Sequence, residues 1–125
     1  DQSFVELRVM ADQLDVPVQI HLHETTAEID AALRENGQRP CARLARLGLV
    51  NSSLLAVHAV HMTDAEIASF AETGVSIAHC PRSNLKLASG IAPVTRYRAA
   101  GVNVAIGTDG EVVTSLDGVF FQQQP

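Results

Sequence analysis

Tryptophan is absent from the 125 residues, and aromatic side chains make up only 4%, as one Tyr and four Phe. A core built from this chain is therefore aliphatic, and a hydrophobic share of 46% is ample for one. The two cysteines, Cys41 and Cys80, are too few for a disulfide framework and fit a reducing setting. Basic charge is also short: nine Lys and Arg against fourteen Asp and Glu leave a net charge of −5. That balance argues against a phosphate-backbone binder, so no nucleic-acid partner is expected. No apolar run approaches the roughly 20 residues needed to cross a bilayer, so no membrane partner is expected either. The chain opens in polar, helix-like sequence rather than a secretory leader, and a cytoplasmic location is expected. No glycine-rich phosphate or dinucleotide loop occurs. The length allows one domain, or part of one.

What is present is an alternation of helical and strand signals. Ser3 with Glu6 reads as a capping box, followed by Phe4, Leu7, Met10 and Leu14 at helical spacing. Val16 to Ile20 reads as a strand. Thr25 and Glu28 open a second helix that ends at Gly37, and Pro40 opens a third that stops at Gly48. Arg39, Arg43 and Arg46 share a face of that third helix and read as a solvated face rather than an acidic-partner site. Leu54 to Val57 is a second strand. Thr63 and Glu66 form another capping box, with Ile67, Phe70 and Ala71 on the buried face and Gly74 at the stop. Val75 to Ala78 is a third strand, and Pro81 to Gly90 reads as a loop. Pro93 opens a helix that closes at Gly101. Val102 to Ile106 is the fourth strand, after which the last helix is incomplete.

Strands alternating with helices imply an α/β fold with a parallel sheet and right-handed crossovers. Each apolar run ends in a titratable group: VPVQI at His21, LLAV at His58, VSIA at His79, and VNVAI just before Asp109. Functional groups at the C-terminal ends of several strands suit a (β/α)8 barrel, although a doubly wound open sheet shares much of the pattern. A histidine so placed is ordinarily structural, but four equivalent strand ends change the weighing. Imidazole plus carboxylate suits a catalytic zinc with an open position. Within HLHE, an extended chain aims His21 and His23 at one face, so the pair could hold a metal by spacing alone. Glu24 could shuttle protons, or be an ordinary first-turn acid. His61 falls in the loop before the Thr63 helix, and Cys80 reads as a packed thiol.

HLHET, VHAVHMTDAEI, HCPRSNLKLASGIAPV, GVNVAIGTDG and GQRPCARLARLGLV together resemble the amidohydrolase superfamily. They resemble in particular its TRZ/ATZ branch, which includes the 5-methylthioadenosine/S-adenosylhomocysteine deaminases and the triazine chlorohydrolases. The resemblance covers about Asp1 to Gly110, in motif order. It implies a partial TIM barrel of the metal-dependent hydrolase type, approximately strands 5–8, with residues 1–125 as one partial catalytic domain. It implies His21 as a metal ligand, Asp109 as both ligand and general base, and Glu24 as a substrate contact that moves protons. His58 polarises the attacked group or the water, and His79 with SNLKL forms part of the substrate pocket. His23 and His61 receive no role.

The same resemblance implies one divalent metal, zinc or iron, and a small heterocyclic substrate. The reaction implied is hydrolytic deamination of an adenine nucleoside thioether. The alternatives are dechlorination of a triazine, deamination of guanine or another heterocycle, and a non-catalytic assembly module. Two features depart from the family pattern. The paired His-x-His ligands of strand one are missing. The residues after Asp109 read Glu111, Val112 and Val113 in place of small polar ones. The chain is therefore expected to need the other half-barrel, or a second copy of itself, to be active.

Overall fold

In the computed structural model, which describes residues 1–107 and 120–122, four parallel strands are linked by helices. The elements are α1 (Gln2–Leu14), β1 (Val18–Leu22), α2 (Thr26–Asn36), α3 (Pro40–Arg46), β2 (Leu54–His58), α4 (Asp64–Thr73), β3 (Ser76–His79), α5 (Pro81–Lys86), α6 (Val94–Ala100), β4 (Asn103–Ile106) and β5 (Phe120–Gln122). The sheet order is β1-β2-β3-β4-β5. The first four strands are parallel, with Ile20 opposite Ala56, Ala56 opposite Ile77 and Ile77 opposite Val104. Each crossover carries helix, as parallel neighbours require.

Local chemistry explains most boundaries. The Thr25 side chain accepts from the Glu28 backbone N–H, and the α2 chain turns left-handed at Gly37. Thr63 and Glu66 form a complete capping box on α4, closed by a left-handed Gly74. Pro40 occupies the first turn of α3, where its missing N–H costs nothing. The core is aliphatic as expected: Leu22, Leu44, Leu54, Ile67, Ile77 and Val104 pack with two fully buried rings, Phe70 and Tyr97.

Several expectations are corrected. Asp1, not Ser3, takes the N-cap position of α1, and no side chain caps it; Ser3 lies inside the first turn. Leu7, Met10 and Leu14 are exposed, and the buried α1 residue is Ala11. The first strand runs to Leu22, two residues beyond the expected end. The segment after β3 contains α5, begun by Pro81 in its first turn. The arginine face is not simply solvated. Arg43 and Arg46 pair with Asp1, while Arg39 makes a two-pronged pair with Glu66 and donates to the His61 carbonyl. After β4 the described chain resumes as β5, antiparallel to β4 with Val104 opposite Gln122.

Candidate active site

Adjacent parallel strands deliver His21 and His58 to the same end of the sheet. Their rings meet edge to face, with centroids 4.9 Å apart. The pleat alone would not do this. His21 lies opposite Val57, and His58 lies opposite Leu22, so regular alternation puts the two histidines on opposite faces. His58 escapes the alternation because its φ is +75° and that of Ala59 is +44°. Left-handed backbone at two consecutive non-glycine residues is uncommon and marks a strained, over-determined turn.

The turn is braced from three sides. The Ala59 N–H donates to the Leu22 carbonyl at 3.0 Å, and the Val60 and His61 N–H groups both donate to the His23 carbonyl at 3.1 Å. From α6, the fully buried Tyr97 hydroxyl donates to the Ala59 carbonyl. Burial pushes the Tyr97 phenol well above its ordinary range, so it remains a donor.

Glu24 completes the cluster. Its Oε2 lies 3.5 Å from His58 Nε2, and its side chain is about one-fifth exposed (21%). The loop that carries it is fixed by Glu28, whose carboxylate accepts from the backbone N–H groups of His23 at 2.6 Å and Glu24 at 3.4 Å. The capping pattern at Thr25 foreshadowed Glu28 as a helix-start residue, but not its grip on the loop. His21, Glu24 and His58 each offer a ligand atom, and these atoms lie within 4.8 Å of one another. Two imidazoles and a carboxylate suit a zinc-class divalent ion, so the donor set fits the implied metal.

His23 does not join His21. Its φ of +51° turns it away, and its ring is fully buried. Nε2 accepts from the Cys41 N–H at 3.1 Å, and Nδ1 lies 3.2 Å from Met62 Sδ and 3.8 Å from Glu66 Oε2. Desolvation pulls its pKa down to about 4, against the opposing pull of Glu66, so the ring is neutral. Burial pushes the Glu66 carboxyl up, but the Arg39 guanidinium and the Thr63 N–H hold it below the usual range. Cys41 is a packed thiol raised to about 12 by burial. Cys80 is buried as well.

His79 ends β3, half-buried, with its pKa lowered by desolvation, and it stands outside the three-residue cluster. His61 belongs to the loop, where Nε2 donates to the Ser89 carbonyl at 2.8 Å. Asp109, Glu111, Val112 and Val113 lie outside the described residues. Asn84, fully buried in α5, was hidden in the supposed loop; its Oδ1 lies 2.8 Å from His58 Nδ1. Among the described residues no helix is long and apolar enough to cross a membrane.

Comparison with known proteins bears on this geometry. A protein named 5-methylthioadenosine/S-adenosylhomocysteine deaminase from Teredinibacter turnerae is 43% identical over 124 residues, 99% of this chain and 28% of its own length. One of the same name from Moorella thermoacetica is 55% identical over 97 residues, 78% of this chain and 23% of its own. Among solved structures, an adenosine deaminase from Xanthomonas campestris with bound zinc superposes with a TM-score of 0.83 at 56% identity, over 84% of this chain and 24% of that one. An atrazine chlorohydrolase from Arthrobacter aurescens, complexed with zinc, gives a TM-score of 0.80 at 31% identity over 84% and 23%. The chain thus spans about a quarter of the length of these relatives, and its four parallel strands are part of their barrel. Residues 3–121 match the amidohydrolase family, and the chain belongs to that family.

Proposed function

We propose that this chain supplies part of the catalytic centre of a metal-dependent hydrolytic deaminase acting on an adenine nucleoside thioether. The observation that carries the reading is the convergence of His21, Glu24 and His58 at neighbouring strand ends. The names of the curated relatives support the substrate class.

His21 and Asp109 would hold the metal, zinc or iron, beside Glu24 and His58. A divalent ion there supplies Lewis acidity and makes water nucleophilic near neutral pH. Asp109 takes the proton of the attacking water as the oxygen bonds to the adenine carbon that bears the amino group. Glu24 Oε2 gives a proton to the neighbouring ring nitrogen. Asp109 passes the proton it took to the amino group, the carbon–nitrogen bond breaks and ammonia leaves, and the remaining O–H proton returns to Glu24 as the carbonyl forms. His58 Nε2, facing Glu24, would polarise the attacking water by accepting a hydrogen bond from it. His79 would line the substrate side, set apart from the chemistry.

The test uses a graft in which this sequence replaces the matched segment of the Xanthomonas campestris adenosine deaminase, 56% identical there. The folded, zinc-loaded graft is expected to release ammonia from 5-methylthioadenosine or S-adenosylhomocysteine. Asp109→Asn keeps the shape but loses the anionic ligand and base, and is expected to reduce turnover by at least about 100-fold. A folded, zinc-loaded graft that releases no ammonia from either nucleoside would refute the deaminase reading. Chloride release from a triazine by the same graft would move the assignment to the chlorohydrolase side of the family.

A further inference from the structure

The Asn84 amide is fully buried, and among the described residues its side chain makes one hydrogen bond, to the His58 ring. Its Oδ1 lies 2.8 Å from Nδ1. An amide oxygen only accepts, so this contact requires a proton on Nδ1. A neutral ring then presents a lone pair at Nε2, the nitrogen 3.5 Å from Glu24 Oε2. A lone pair and a carboxylate facing each other at that distance repel unless a cation or a shared proton lies with them. The Asn84 contact therefore sets His58 up to meet a metal ion or a proton.

The segment around Asn84 is built to hold this position. The Asn84 N–H donates to the Cys80 carbonyl at 2.9 Å, and the Ser89 N–H donates to the Asn84 carbonyl at 2.8 Å. The Ser89 carbonyl in turn accepts from His61 Nε2 at 2.8 Å. His61 lies three residues after His58, so the two ends of one turn grip both ends of the Asn84 segment. Gly90 follows at a φ of +117°, and a Cβ there would lie 3.1 Å from Val60 Cγ1, so the segment closes tightly on that turn.

The amide also carries a cost. Asn84 Nδ2 is buried without a hydrogen-bond partner among the described residues. An unpaired buried donor is destabilising. A residue serving packing alone would be better apolar at this place.

We propose that Asn84 is a positioning residue that fixes the His58 ring with its proton on Nδ1, and that His61 clamps the Asn84 segment through Ser89. Nε2 thus faces the site as a hydrogen-bond acceptor. The rate consequence rests on the deaminase reading; the ring tautomer does not, and is measured without substrate.

The experiment is 15N NMR of the His58 ring in the metal-free chain at neutral pH, in the wild type, Asn84→Leu, Asn84→Asp and His61→Phe. The wild-type ring is expected to show a protonated Nδ1 and a bare Nε2. Asn84→Asp keeps an acceptor and retains that pattern. Asn84→Leu removes it, and the proton moves to Nε2, toward Glu24. His61→Phe gives a mixture, because the clamp is loosened. In the grafted enzyme, Asn84→Leu is expected to lower kcat about 10- to 100-fold with little change in KM, and Asn84→Asp to restore most of it. A wild-type ring protonated at Nε2 overturns the proposal, even where a variant fails to fold. An Asn84→Leu ring that keeps its proton on Nδ1 overturns it equally.

Discussion

Removing one oxygen from Tyr97 tests how the strained turn at His58 is held. Tyr97→Phe keeps the ring, which is fully buried against the core, and deletes only the hydroxyl that donates to the Ala59 carbonyl. Ala59 is itself fully buried, so that carbonyl loses its partner without gaining water. The expected loss is about 2 kcal/mol, from the usual 1–3 kcal/mol for a stranded buried acceptor. Relaxation of the turn would offset part of this, since left-handed residues store about 1–3 kcal/mol each. Three backbone hydrogen bonds to Leu22 and His23 oppose that relaxation, together with complete burial of His58 and Ala59. The turn is therefore expected to stay, and the full loss to appear. With a urea slope of about 2 kcal/mol per M, the midpoint falls by roughly 1 M at unchanged slope. Tyr97 is the chain's only tyrosine and there is no tryptophan, so intrinsic fluorescence would vanish in the variant. Both proteins must be followed by far-ultraviolet circular dichroism, at one protein concentration because association adds apparent stability. A midpoint shift below roughly 0.2 M would falsify the claim that Tyr97 braces this turn.

Acid should expose the buried His23. Its folded pKa of about 4 lies below its ordinary 6.5, so the stability it contributes is complete above pH 6.5 and is lost as pH falls toward 4. The loss reaches at most about 3 kcal/mol between pH 7.5 and pH 4, and His23→Gln, which can still accept from the Cys41 N–H, should flatten the urea-midpoint slope over that window; equal slopes in the two proteins would rule His23 out. The 125 residues alone should bind zinc weakly, release no ammonia and self-associate, because no described strand pairs with the outer edge of β1. Sedimentation at low micromolar concentration with zinc analysis checks this, and a monomer with stoichiometric zinc and turnover would contradict it.

Three strand ends were legible because apolar runs stop at or beside a histidine: His21 one residue before the end of β1, His58 at the end of β2 and His79 at the end of β3. The Thr25 cap and the Thr63 capping box were legible for the same reason: the chemistry is local. What failed was whatever depends on distant contacts. Ser3 with Glu6 has the spacing of a cap, yet Asp1 holds the N-cap position and is tied to Arg43 and Arg46 across 42 and 45 residues. The six residues of α5 are too few to show a helical period, and Asn84 and Ser83 made them read as loop. Phe120–Gln122 breaks the strand-and-helix repeat by returning antiparallel, which no local pattern announces.

The deeper miss concerns faces rather than elements. Spacing offered His21 with His23, two apart on one strand, as a metal pair, while the strand ends put His58 with His21. The structure keeps the second grouping and breaks the first, through three residues with positive φ: His23 at +51°, His58 at +75° and Ala59 at +44°. One turn removes His23 from the face of His21, and the other brings His58 onto it. None of the three is glycine, so composition gave no warning of either turn. The strain of two left-handed residues at His58 and Ala59 is comparable with what three backbone bonds, at about 1 kcal/mol net each, and a buried tyrosine hydroxyl return. Those bonds come from β1 and α6, while the Asn84 contact that orients the ring comes from α5. The position of one candidate catalytic nitrogen is thus decided by three elements, two of which carry none of the proposed catalytic or metal-binding residues. Substitutions at Tyr97 or Asn84 should therefore reach the chemistry as readily as many changes inside the cluster.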